Sequence, residues 1–262
     1  MYPLVNEKYN IIFFWSYKCG CTFIKHLFYN EISKKKYSTN YIKLLTAFNI
    51  LYNNNNLNSK NLTLYTKIYV CRNPYIRIVS CFLDKYINNH FSFLFNTNIA
   101  FKNFFRKNKI KTTFKEFINL VYEKIVLKKF NLIEYNHIEE QFNNTFYFDK
   151  IFKLEDINLN DNFYDYLNTL VPSLNCKNEK MIFKNYTNTQ TSTMYIENAY
   201  NLEYQELLHL KKNNALPNYE CFYNNEIIEK VNEIYKNDFK ILKMFNIEYN
   251  DCFKPDKVLI LN

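Results

Sequence analysis

The sequence predicts an α/β domain with a central, mainly parallel sheet flanked by helices. Three observations carry that expectation. Ile11-Ile-Phe-Phe-Trp15 is a continuous apolar run between Asn10 and Ser16, the pattern of a strand buried on both faces. Thr66-Lys-Ile-Tyr-Val-Cys71 reads as a second strand. A helical pattern follows each of them at once, and strands alternating with helices favour a layered domain around a parallel sheet.

The remaining elements follow from periodicity and punctuation. Residues 21 to about 35 read as a helix that ends in Lys34-Lys35-Lys36, and a second helix is expected over 41–52 before the polar loop Asn53–Lys60. Asn73-Pro74 opens a helix reaching about Asn89, because Asn caps a first turn and Pro is tolerated inside it. Residues 91–112 are Phe-rich and basic and show no usable period. Thr113–Leu127 is helical, with an apolar stripe of Phe114, Phe117, Ile118, Val121 and Ile125. Phe146–Leu154 is a third strand, Phe163–Leu170 a short helix, 172–220 mostly irregular, and Glu226–Phe245 one long helix. No internal repeat or linker divides the chain, so a single domain over 1–262 is expected.

Composition narrows the function. The chain has 24 Tyr and 25 Phe but one Trp and one Gly. Its three arginines are Arg72, Arg77 and Arg106. The abundant residues have AT-rich codons, so the bias reads as genomic, and a surviving Gly or Arg marks a place where no substitute works. The net charge of +9 suits an anionic ligand such as a nucleotide, an acidic glycan or nucleic acid, or else a Lys-rich solvated surface. No RRM or KH signature supports nucleic-acid binding, and no nucleic-acid partner is expected. Seven cysteines without a CxxC pair argue against a zinc site or a disulfide framework. Cys71 and Cys81 read as small buried hydrophobes, and this usage fits a reducing compartment. No apolar run approaches the roughly 20 residues of a membrane span, and no signal peptide is visible. A cytoplasmic location is expected, or a Golgi-type lumen if an anchor lies outside this sequence.

Two segments carry chemistry. After the first strand comes Ser16-Tyr17-Lys18-Cys19-Gly20-Cys21-Thr22-Phe23-Ile24-Lys25 and then a helix. A helix start offers N–H groups and a positive dipole end to an anion. Gly20 lets the backbone turn and approach closely, Lys18 neutralises charge, and Thr22 offers a hydroxyl. The segment is not GxxxxGK[ST], so an NTPase reading fails; an ordinary strand-turn-helix with an incidental lysine is the bland alternative. The second segment is Arg72-Asn73-Pro74-Tyr75-Ile76-Arg77-Ile78-Val79-Ser80. At about 100° per residue, Arg77, Ser80, Cys81 and Asp84 share one helix face, which is expected to be the polar side. An Arg fork with a hydroxyl is good phosphate chemistry; a surface helix with one salt-bridged Arg is the alternative.

Both segments resemble the sulfotransferase family. The first is similar to the 5'-phosphosulfate loop, particularly that of the Golgi carbohydrate sulfotransferases, which reads Pro-Lys-x-Gly/Ala-Cys/Ser-Thr-x-x-Lys. Lys18, Gly20, Cys21, Thr22 and Lys25 match, and Tyr17 departs where the family has Pro. The second is similar to the 3'-phosphate segment, Arg-Asp/Asn-Pro-x-x-Arg-x-x-Ser, through Arg72, Asn73, Pro74, Arg77 and Ser80. His137-Ile-Glu-Glu-Gln141 resembles a His-x-x-x-Gln element, Phe148–Glu155 the strand after it, and Ile234-Tyr235-x-x-Asp238-Phe239 a closing Ile-Tyr-x-x-Asp-Phe helix.

The resemblance implies a P-loop-kinase-like sulfotransferase fold. It implies a metal-free enzyme that moves a sulfuryl group from 3'-phosphoadenosine-5'-phosphosulfate (PAPS) to an acceptor hydroxyl, with PAP as the product. The acceptor it implies is a glycan or another hydroxyl-bearing molecule. Lys18, Cys19, Gly20, Cys21, Thr22 and Phe23 would hold the phosphosulfate, Arg72 and Ser80 the 3'-phosphate, and Arg77 would be more structural. Lys18 and His137 are the candidate catalytic residues, with Glu139, Glu140 and Glu155 as alternatives to His137 for the base. A degenerate member that binds nucleotide or acidic glycan without catalysis is the other reading.

Overall fold

A computed structural model of the chain describes residues 2–33, 62–87, 113–128, 137–142, 147–157, 162–174 and 193–249. These fall into two compact units that interleave along the chain: 1–72 with 143–184, and 73–142 with 185–262. The strands are β1 (Tyr2–Asn6), β2 (Ile11–Trp15), β3 (Thr66–Cys71), β4 (Lys150–Lys153), β5 (Thr193–Met194) and β6 (Leu216–Pro217). The described helices are α1 (Cys21–His26), α2 (Pro74–Cys81), α3 (Phe114–Ile125), α4 (Asn162–Leu170), α5 (Tyr204–Lys212), α6 (Asn225–Ile234) and α7 (Lys236–Met244). Turns of π geometry extend α1 over Leu27–Ile32 and α2 over Phe82–Ile87.

The first unit is built on one sheet in the order β1-β2-β3-β4. β2–β3 and β3–β4 pair in parallel, and β1 runs antiparallel beside β2. The sheet is therefore mainly parallel, as the sequence predicts. Every residue of β2 is buried, which is why the run shows no polar alternation. Residues two apart point the same way. Ile11, Phe13, Trp15, Ile68 and Val70 share one core cluster with Ile24, Leu27 and Phe28 of α1 and its extension, and with Phe163 and Leu167 of α4. Phe14 and Tyr69 point to the opposite face, where both meet the Phe148 ring.

β1 has no counterpart in the sequence reading. Its segment, Tyr2-Pro3-Leu4-Val5-Asn6, contains a proline, which argues against an interior strand. The strand is tolerated because it lies at the sheet edge, where a missing N–H costs least. β4 is shorter than the predicted Phe146–Leu154. Beside it the Lys67 N–H donates to the Asp149 carboxylate at 2.7 Å, so a side chain replaces a ladder carbonyl.

The second unit is mainly helical. Asn73 Oδ1 accepts the Tyr75 N–H at 2.9 Å with Pro74 at the first helical position, the start that the Asn-Pro pair predicts. Thr113 caps α3 by accepting the Glu116 N–H at 3.2 Å. Phe114, Phe117, Ile118 and Val121 are buried as their spacing predicts, joined by Leu120, while Ile125 lies at the margin.

Two expectations about this unit need correction. The stretch predicted to be irregular holds α5, whose first turn is closed by a reciprocal capping box between Glu203 and Glu206. A glutamate at the N-cap is a weak start signal, so periodicity alone hides it. The long helix expected over 226–245 is two helices, α6 and α7, broken at Tyr235 (φ −112°, ψ 28°). The predicted helix at 41–52 and the segment 91–112 lie outside the described residues. Cys71 and Cys81 are buried, and none of the five described cysteines is in a disulfide. No described helix is long and apolar enough to cross a membrane.

Phe163 is 1% exposed and its ring meets those of Phe23, Phe152 and Tyr164. Phe163→Ala is expected to lower stability by about 3–5 kcal/mol through lost burial and the cavity left behind. Denaturant unfolding followed by fluorescence of Trp15, the one tryptophan, checks this.

Candidate active site

In a parallel sheet, ligands bind beyond the C-terminal ends of the strands. Loop 16–20 leaves the C-terminal end of β2, Arg72 the end of β3, and Leu154 the end of β4. Parallel pairing brings these three ends to one edge, where the Leu154 N–H bonds the Cys71 carbonyl at 2.8 Å.

The loop turns sharply. The Cys19 N–H donates to the Ser16 carbonyl at 3.2 Å with Lys18 at φ 66°, as a type II turn requires of its third residue. Gly20 follows at φ 68° as the N-cap of α1, with no side-chain cap. Left-handed backbone costs a non-glycine residue about 1–2 kcal/mol. Four of the six described non-glycine residues with positive φ are Asn10, Asn198, Asn214 and Asn246, a residue type that tolerates the region. Lys18 does not, so its backbone carries strain in the middle of the loop. Gly20 is needed twice over. Besides its φ, a Cβ there would lie 2.6 Å from Leu154 Cδ1.

Arg72 braces this turn. Its Nη1 donates to the Lys18 carbonyl at 3.1 Å. The first bond within α1 runs from the Ile24 N–H to the Gly20 carbonyl at 3.0 Å. The amides of Cys21 and Thr22 precede it, on the open end of the helix. No acidic residue stands in that first turn, where one would offset the positive end of the dipole. Thr22 is exposed, Lys18 half-buried and Cys19 buried. A cation, a braced left-handed turn and a helix start stand together at one strand end, an arrangement whose chemistry suits a tetrahedral anion.

The model of the sulfotransferase family matches residues 3–246, nearly the whole chain. The chain belongs to the sulfotransferase family. No characterised protein and no solved structure matches it. The chemistry of this sulfotransferase is therefore sulfuryl transfer, and the fold class is the one its sequence predicts.

Lys25 matches the family loop, but its side chain turns inward. It is buried, and its Nζ lies 3.9 Å from the centroid of the Trp15 ring. Burial lowers its pKa, against a smaller raising effect of Cys21.

The second unit corrects the expectation of a polar face on α2. Arg77 is fully buried and Cys81 is 3% exposed, while Ser80 and Asp84 are half-buried. A buried guanidinium needs compensation. Its Nη1 donates to the Glu139 carbonyl at 2.6 Å, and its Cζ lies 5.5 Å from the Tyr235 ring centroid. Asp238, also fully buried, supplies the opposite charge. Burial pushes the Asp238 carboxyl up to about 7, against the charge of Arg77 and the N–H donors of Gln141 and Phe142. The Gln141 N–H reaches both carboxylate oxygens at 2.8 and 2.9 Å, and the Phe142 N–H reaches one at 3.0 Å.

The structure thus joins three segments that the sequence reading singled out separately: Arg77, the run His137–Gln141, and the pair Tyr235 and Asp238. His137 itself is half-buried at the start of its run. Glu140 accepts the Asn237 N–H at 3.1 Å, and burial raises its pKa against that bond. The role of Asp238 has a signal only in the Tyr-x-x-Asp spacing.

Gly20→Ala is expected to lower stability by about 1–3 kcal/mol, because alanine resists the left-handed backbone and Leu154 must move. The shift in denaturant midpoint measures it. A substitution in the neighbouring helix turn that leaves φ alone, such as Thr22→Ala, is expected to stay within about 0.5 kcal/mol.

Proposed function

We propose that this sulfotransferase takes its sulfuryl group from PAPS and delivers it to a hydroxyl of a carbohydrate. The observation that supports the donor best is the loop at the end of β2. Lys18 and Gly20 are both left-handed there, Arg72 holds the Lys18 carbonyl, and the start of α1, with no acidic residue in its first turn, follows. The carbohydrate acceptor rests on the likeness of Lys18, Gly20, Cys21, Thr22 and Lys25 to the loop of carbohydrate sulfotransferases.

In this reading the acceptor oxygen bonds to sulfur as the bond from sulfur to the 5'-phosphate oxygen breaks. The hydroxyl proton passes to a base, and PAP leaves with the electron pair. Lys18 stabilises the charge growing on the bridging oxygen, and the amides of residues 20–23 hold the phosphosulfate oxygens. Arg72 and Ser80 bind the 3'-phosphate. A guanidinium carries five N–H donors, enough to brace the loop and meet a phosphate together. His137 is the base, since neutral imidazole suits proton abstraction near neutral pH. Glu140 is a weaker choice because its carboxylate already accepts the Asn237 amide. Transfer of labelled sulfate from PAPS to a panel of glycans, peptides and small alcohols tests the reading. Transfer to none of them would leave only the binding role.

Lys18→Ala is expected to cut kcat by about a hundredfold or more while PAP affinity changes little, because its contact strengthens in the transition state. Steady-state kinetics beside PAP titration separates the two effects, and wild-type turnover would remove Lys18 from the mechanism.

Arg72→Ala is expected to weaken PAP binding more than Ser80→Ala does. A charge-assisted contact is worth roughly 1.5–3 kcal/mol and a neutral hydroxyl contact about 1. Calorimetric titration of both variants checks the order. Unchanged affinity in both would place the 3'-phosphate elsewhere.

A further inference from the structure

The run 137–142 is held by its backbone. The Ile138 carbonyl accepts the Tyr235 hydroxyl at 3.0 Å, and the Glu139 carbonyl accepts Arg77 Nη1 at 2.6 Å. The Gln141 and Phe142 amides both donate to Asp238. Asn237 N–H reaches the side chain of Glu140 at 3.1 Å. Four successive residues after His137, and Phe142 after them, are thus tied to α2 or to the break between α6 and α7. Arg77, Tyr235 and Asp238 are all buried, the first and last being ionisable groups. Burying charge for stability alone is poor design, since apolar residues of the same volume serve as well or better. A charged cluster does fix a unique backbone path, because each donor and acceptor accepts only one geometry.

We infer that Arg77, Tyr235 and Asp238 are positioning residues for sulfuryl transfer, fixing the backbone of residues 138–142 and through it the orientation of His137. This rests on the assignment of His137 as the base. α6 and α7 break at Tyr235, whose ring lies beside Arg77 while Asp238 faces the amides of 141 and 142.

The test is a double-mutant cycle read in kcat, with PAP affinity and melting temperature measured on the same proteins. Tyr235→Phe removes one hydroxyl and keeps the ring beside Arg77, so it is the variant most compatible with folding; Asp238→Asn is the second. In the wild-type background each is expected to lower kcat by roughly tenfold or more with PAP affinity unchanged, since a small misplacement of a reacting group is costly. In a His137→Ala background the same changes are expected to cause no further loss, because residues that act through one group are not additive. Equal fractional losses in both backgrounds, or PAP affinity falling in step with kcat, would overturn the inference and leave the base assignment standing. Wild-type kcat in His137→Ala alone would remove the base assignment and this inference with it.

Discussion

The bond from Arg72 to the Lys18 carbonyl is the constraint on which the candidate site depends. Two left-handed residues, Lys18 and Gly20, bracket Cys19, and a lysine is a poor resident of that region. Something must hold the strained turn in place. The parallel pairing of β2 with β3 brings Arg72 to the loop, and the guanidinium bonds the carbonyl of the strained residue itself. Leu154, at the end of β4, packs against Gly20 where a Cβ would stand. All three strand ends therefore shape one turn. The cost of about 1–2 kcal/mol at Lys18 is small beside what a full sheet and its core supply, and it fixes where the lysine stands.

The second unit solves a different problem with the same residue type. Arg77 is buried with Asp238, and the desolvation of two such groups is offset only when hydrogen bonds complete the pair. The partners are main-chain groups of a run that lacks helix or strand structure, which is why that run has a defined path at all. Removing one member would leave an uncompensated charge and loose N–H groups together, so the cluster is all-or-none in a way that an apolar core is not.

Much of this was legible in the sequence where a local rule suffices. β2 announces itself as an uninterrupted apolar run, β3 through Ile68-Tyr-Val-Cys71, and Asn73-Pro74 announces its helix, because a strand's burial and a helix's first turn leave marks on neighbouring residues. The sole glycine pointed to the loop, and its positive φ is the reason. The failures share a cause. β1 is stabilised by pairing along an edge, which no pattern within five residues records. Tyr235, where α6 and α7 break, contacts Ile138 and Arg77, far away in sequence. Periodicity puts Arg77 on a polar face because it tells which residues share a side, not what lies against that side. The guanidinium instead lies buried in the field of Asp238. For α5 the missing signal was a glutamate performing the cap that serine or aspartate usually performs.

Family membership assigns sulfuryl transfer, and the loop explains how this chain could hold the group to be moved. The central proposal is that the turn at Lys18–Gly20, braced by Arg72, binds a 3'-phosphorylated nucleotide. Trp15 immediately precedes that loop and is the one tryptophan of the chain, so its fluorescence is a local probe. Titration with PAP and with 5'-AMP tests the claim most directly. PAP is expected to give a saturable change at least roughly tenfold tighter than AMP, the discrimination that one charge-assisted phosphate contact supplies. Equal affinity for the two nucleotides, or no response to either, would contradict it.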